Sequence, residues 1–194
     1  MTPERLAQSN SEHAHQQALF AWAGIALRYG FAAADDERSY SEYGYLQQTY
    51  GINPREVPNP SGRGKHWEDD GGRETVPELE WLHAIPNGGR RDGFTAALMK
   101  AEGVKKGICD IFLPLPMRWP GGDIRYCGFY IELKRPTSGK AQTRKQKGTT
   151  STDQDAFIAY GRNVGYAVSV AFGWQAATRE VKSYVETVRA TSRR

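Results

Sequence analysis

Cysteine is scarce in this chain: 194 residues hold two, Cys109 and Cys127. Two thiols cannot furnish a zinc finger or a disulfide scaffold. Both fall in apolar runs, where they read as small core hydrophobes, and a disulfide between them is disfavoured in a reducing compartment. Long apolar runs are missing as well. None approaches the roughly 20 residues that a membrane-spanning helix needs. The amino terminus, MTPERLAQSNSEHAHQQ, is polar and lacks a signal-peptide core. A cytoplasmic protein without a membrane partner is the expectation. The four histidines show no metal-ligand spacing; His13 and His15 are two apart on a predicted helix and point in different directions. Sequence repeats are also absent. What remains is ordinary for a soluble protein, 39% hydrophobic and 25% charged, and long enough for one domain with a real core.

Charge is unevenly distributed. The net charge is +4, yet residues 31–80 hold eleven Asp and Glu against five Lys and Arg. That stretch carries −6 and the remainder +10. A basic surface attracts polyanions and makes their binding salt-sensitive. The chain therefore reads as one domain over residues 1–194 with an acidic insertion at 31–79.

The most informative stretch runs from Gly107 to Lys134. GICDIFLP and YCGFYIELK are strand-like runs bounded by Gly and Pro. Asp110 lies within the first, and Glu132-Leu133-Lys134 closes the second 22 residues later. Burying an unpaired charge is expensive, so three charges on two neighbouring strands suggest a site. Side chains alternate along a strand, which puts Cys127, Phe129, Ile131 and Leu133 on one face and Tyr126, Tyr130, Glu132 and Lys134 on the other. Trp119 through Asp123 supplies turn residues, and an antiparallel pairing of the two runs brings Asp110 beside Glu132. Two carboxylates and an amine suit a hard divalent cation, Mg²⁺ or Mn²⁺, acting on a phosphodiester. The bland alternative is a salt-bridged pair on a half-exposed sheet face, where Glu-x-Lys is common.

Five ordered blocks extend the pattern: His83 through Gly89 (HAIPNGG), Gly103 through Asp110 (GVKKGICD), Tyr130 through Lys134 (YIELK), Ser151-x-x-Gln154, and Gly165-Tyr166. Together with the first helix they resemble the VRR-NUC (virus-type replication-repair nuclease) branch of the PD-(D/E)xK nucleases, over roughly residues 83–185. One position departs: Cys109 stands where the family usually has proline. The resemblance implies a restriction-endonuclease-like α/β fold with a mixed central sheet flanked by helices. It implies a metal-dependent DNA endonuclease in which Asp110, Glu132 and the Ile131 carbonyl hold the metal. Lys134 is then the catalytic amine, Gln154 its positioning residue, and Glu12 an additional ligand. For Glu12 the alternative is a favourable interaction with the helix dipole, and for Gln154 a plain surface role. Asn87, Arg90, Arg91, Arg135, Lys140, Arg144, Lys145 and Lys147 become DNA contacts, although a charge run such as 134–147 also suits a solvated loop. Phage-like, stand-alone members act as homodimers on branched DNA such as four-way junctions, in bacteria or phage-infected cells. A flap, single-strand or restriction-like specificity is one alternative. A non-catalytic nucleic-acid-binding module with a degenerate site is another.

The remaining elements follow from periodicity. Residues 11–29 read as a helix capped by Ser11, with Ala18, Trp22, Ile25 and Tyr29 at helical spacing. Residues 39–50 suggest a short helix exposing Tyr43, Leu46 and Tyr50, a candidate dimer face. Residues 53–75, rich in Gly and Pro, read as a mobile loop. A first core strand is expected at 79–85 and a helix at 92–102 closed by Gly103. A helix capped by Thr152 with Asp155 as partner runs to about Arg162. A strand at 165–172 and an amphipathic helix at 175–190 complete the order, the latter with Ala177, Val181, Tyr184, Val185 and Val188 on one side.

Overall fold

The computed structural model describes residues 1–68, 70–86, 93–136 and 150–192. Asn87, Arg90, Arg91, Lys140, Arg144, Lys145, Lys147 and the basic tail Arg193-Arg194 lie outside the described residues. The chain divides into two compact units, Met1–Glu80 and Trp81–Arg194.

In the first unit a short helix, α1 (Pro3–Leu6), leads to the long α2 (Glu12–Asp35). Ser11 caps α2 as expected, its hydroxyl accepting from the Ala14 amide at 3.1 Å. Ala18, Trp22 and Tyr29 are buried along it. The helix is interrupted where its expected end falls, and residues 31–35 of the acidic segment form a further helical stretch beyond the break. It kinks at Gly30, whose φ of 91° and close approach to the Glu74 carbonyl leave no room for a side chain. Two short helices follow, α3 (Arg38–Ser41) and α4 (Tyr45–Tyr50). The exposed face expected at Tyr43, Leu46 and Tyr50 does not form. The continued α2 offers Tyr29 and Ala33, which bury Leu46, and Tyr50 packs against the same cluster. Tyr43 alone is exposed, donating its hydroxyl to the Lys65 carbonyl at 2.7 Å. The loop expected at 53–75 contains an antiparallel hairpin, β1 (Arg55–Pro58) on β2 (Lys65–Glu68). Cross-strand ion pairs Arg55–Glu68 and Lys65–Glu56 lie on it, a pattern that an average over Gly and Pro content obscures.

The second unit is built on a four-stranded sheet in the order β3 (His83–Ala84), β4 (Ile111–Leu113), β7 (Phe129–Lys134), β8 (Ala167–Phe172). The first two pairings are antiparallel and β7–β8 is parallel, so the sheet is mixed. A parallel neighbour requires a crossover, and α6 (Thr152–Asn163) supplies it. Phe129 stacks on Tyr184 of α7 (Trp174–Ser192), while Tyr130 meets Phe157 of α6 edge-on. Adjacent strand residues face opposite ways, so α6 and α7 cover opposite faces. This is the mixed α/β sandwich expected for a nuclease-like fold. The five apolar residues predicted for the last helix are all buried.

Three local expectations are corrected. The strand expected at 79–85 shrinks to His83–Ala84, because Pro77 opens a 3₁₀ turn over Pro77–Leu79. Cys127 is exposed, not in the core, since it precedes β7 where the chain crosses to Gly165. The cap of α6 is Ser151, one residue before Thr152. Elsewhere α5 (Gly93–Ala101) ends as predicted at Gly103, with Val104 and Gly103 amides returning to the Met99 and Lys100 carbonyls. The turn at Trp119–Asp123 joins β5 (Met117–Arg118) to β6 (Ile124–Tyr126), a separate hairpin between β4 and β7. Among the described residues no helix is long and apolar enough to cross a membrane.

Candidate active site

The register of β4 on β7 assembles the acidic pair. Ile111 pairs with Ile131 and Phe112 with Tyr130, so Asp110, one residue before β4, falls opposite Glu132. Both ends of Asp110 are tethered: its carbonyl accepts from the Ile85 amide at 2.7 Å, and its Oδ2 accepts from the Leu133 amide at 2.9 Å. Leu133 thus turns its amide to the aspartate instead of continuing the ladder. Amide and carbonyl of one strand residue leave on the same side, so the Leu133 carbonyl also faces Asp110. The Ile131 carbonyl points to the same edge, where Ile111 is its partner.

Glu132 and Lys134 are not on an exposed face. Their side chains are 0% and 7% exposed, and Lys134 Nζ lies 2.6 Å from Glu132 Oε1. That overturns the surface salt-bridge alternative. Desolvating two charges costs several kcal/mol per ion, and their attraction often fails to exceed it, so a buried pair is a poor stabilising device. Retaining one beside a second carboxylate is better explained by chemistry.

Gln154 completes the cluster. Its Oε1 accepts from Lys134 Nζ at 3.1 Å and from the Ser151 amide at 2.8 Å, and its Nε2 donates to Glu132 Oε1. The Ser151 hydroxyl in turn accepts from the Gln154 amide, which makes Ser151-x-x-Gln154 a full capping box. One side chain therefore caps α6 and orients both members of the ion pair. The helix is seated by Gly107, whose φ is +81° and whose Cβ, if present, would come within 2.5 Å of the Asp153 backbone. Aromatic packing holds the same face: Tyr130 stacks on Phe112 at 4.3 Å and meets Tyr166 edge-on at 5.1 Å. The capping box is written in the sequence, starting one residue earlier than the Thr152–Asp155 pairing suggests. The demand on Gly107 arises only from contact between distant segments.

Cys109 is fully buried. Burial, reinforced by the charges of Glu132 and Asp110, pushes its thiol up to about 12. Burial thus favours the neutral thiol, as expected of a small core residue. Arg135 is exposed at the end of β7. Glu12 is the first residue of α2 in the first unit and is exposed. Among the described residues no three His, Cys, Asp or Glu side chains group as a metal site. The donors that do converge are two carboxylates and main-chain carbonyls. All are hard oxygens, which fits a cation that retains several waters.

No protein-family model matches the chain, and no curated protein is similar to it. A solved structure described as a VRR_NUC domain protein is similar over 58% of this chain and 74% of its own, at 23% identity and a TM-score of 0.41.

Proposed function

We propose that the chain is a metal-dependent DNA endonuclease of the VRR-NUC type. The observation that carries this reading is the buried Glu132–Lys134 pair, bridged by Gln154 and set by strand register beside Asp110. Asp110 and Glu132 are the carboxylates that would hold Mg²⁺ or Mn²⁺, with a carbonyl from Ile131 or Leu133. When bound, such a cation lowers the pKa of a coordinated water and offsets phosphodiester charge. Lys134 supplies a positive charge where the phosphate gains negative charge, or orients the attacking water. Gln154, fixed at the helix cap, keeps the lysine from wandering. Glu12 would add a further ligand. Arg135 and the residues Asn87, Arg90, Arg91, Lys140, Arg144, Lys145 and Lys147 would contact the DNA backbone, as the +10 balance outside residues 31–80 favours.

A branched substrate and a two-fold dimer follow from the family resemblance, since a four-way junction has approximate two-fold symmetry. The test is incubation of pure protein with plasmid, flap and four-way-junction DNA, with and without Mn²⁺, alongside Glu132→Gln. Metal-dependent cleavage that disappears in the variant supports the reading. No cleavage of any substrate, or cleavage unchanged in the variant, overturns it.

A further inference from the structure

We propose that Phe172 is the platform of a nucleobase subsite beside Lys134, which takes an unpaired base next to the cut and so selects single-stranded or branched DNA over continuous duplex. The inference rests on the nuclease reading for its substrate class, and on the sheet for its geometry. In the parallel pairing of β7 with β8, Phe172 is the partner of Lys134. Paired residues in a sheet share a face, with strands about 4.8 Å apart. Phe172 is therefore the lateral neighbour of the buried lysine, on the face that also bears Glu132.

Its surroundings separate it from its neighbours in the strand. Val168 and Val170 share that face and are half-buried, Val168 packing against Gly161 of α6. Phe172, at the last position of β8, is 45% exposed. It does not sit on a frayed end. The Gly173 amide donates to the Lys134 carbonyl at 2.8 Å, Gly173 lies against Pro136, and Trp174 is buried at the start of α7. An apolar ring on a fixed backbone, open to solvent beside a charged site, is pre-organised to receive a flat partner.

Every nucleobase has a π-face, so stacking on an aromatic side chain is tolerant of sequence. It is not tolerant of structure. A base inside a duplex is already stacked and paired, and must be extruded at a cost before it can reach the ring. A base at a branch point, flap or single strand meets no such cost. The same phosphodiester chemistry would then run faster where a base is free.

The experiment uses the whole chain with Ca²⁺ in place of Mn²⁺ to limit cleavage. The probes are an oligonucleotide carrying a fluorescent adenine analogue in a single strand and the same sequence as a duplex. The wild type and Phe172→Trp should quench the unpaired analogue. Phe172→Ala and Phe172→Leu should lose the quenching and bind the single strand roughly 5- to 150-fold more weakly, with duplex binding unchanged. The leucine variant keeps apolar bulk without a π-face, so it separates stacking from packing if the alanine variant is unstable. Absent quenching in the wild type, quenching that survives Phe172→Leu, or equal weakening on both probes overturns the subsite. Cleavage with Mn²⁺ is scored separately. Cutting without Phe172-dependent quenching removes the subsite and keeps the nuclease; Phe172-dependent quenching without cutting does the reverse.

Discussion

Glu132 is a carboxylate with no solvent exposure, and the positive charge beside it belongs to Lys134. Removing the lysine should leave a buried carboxylate short of that counter-charge and cost about 3–5 kcal/mol. If a dication shares Glu132, Mn²⁺ should return part of that stability. Urea unfolding of Lys134→Ala and wild type, each in chelator and in Mn²⁺, checks this; an equal penalty in both conditions would exclude a metal at Glu132. If the proposed assignment holds, Glu132→Gln and Asp110→Asn should abolish cleavage while DNA binding persists, because phosphate contacts would then come from other residues. Cleavage assays paired with filter binding decide it, and near-wild-type cutting by either variant refutes the assignment. The sequence is most legible at this scale. The alternation of β7, with the turn residues at Trp119–Asp123 between the two runs, is enough to place Asp110 beside Glu132. Their burial is not legible, since Glu-x-Lys looks the same on a wet face as on a covered one.

Elements carry the tuning of the site. Gly103 and Gly107 both have positive φ, but a Cβ at Gly103 meets nothing within 4 Å, whereas one at Gly107 collides with Asp153. Gly103→Ala should therefore cost about 1 kcal/mol from backbone strain alone. Gly107→Ala should cost more and also slow cleavage, because it displaces the helix start that presents Gln154. Unfolding and turnover of the two variants side by side test the difference; equal effects would make Gly107 an ordinary turn residue. In α7, burial raises the Tyr184 phenol, which donates to the Leu115 carbonyl at 2.8 Å. The folded state thus holds the proton more tightly than the unfolded chain. That stability is full below the ordinary tyrosine pKa of about 10 and drains away as pH rises beyond it. Tyr184→Phe should flatten this alkaline decline, as pH-resolved thermal melts would register. The helix α7 is readable from its strong periodicity, and α2 from its Ser11 cap and the apolar residues that follow it. The hairpin of β1 and β2 is not, because its four-residue strands, Arg55–Pro58 and Lys65–Glu68, carry mostly charged and polar residues and show no apolar alternation.

Across the whole molecule, charge divides where the fold does. Met1–Glu80 carries −6 and Trp81–Arg194 carries +10. Neutralising Lys140, Arg144, Lys145 and Lys147 should weaken binding to every DNA alike and lower the salt slope by about one unit for each phosphate no longer neutralised. Binding titrations over a range of salt measure it, and an unchanged slope would remove this stretch from the interface. The acidic segment is legible as a composition shift, but its packing onto α2 depends on Leu46 meeting Tyr29 and Ala33, which no local pattern announces. The arrangement of the strands also bears on how such a chain can diverge. The β5–β6 hairpin pairs with itself and stands outside the four-stranded sheet. Its tip at Trp119–Asp123 can gain or lose residues without disturbing β4 on β7. A single residue added inside Phe129–Lys134 would turn Glu132 and Lys134 to opposite neighbours. In a lineage of such proteins, length should vary at that tip and be frozen within those six positions.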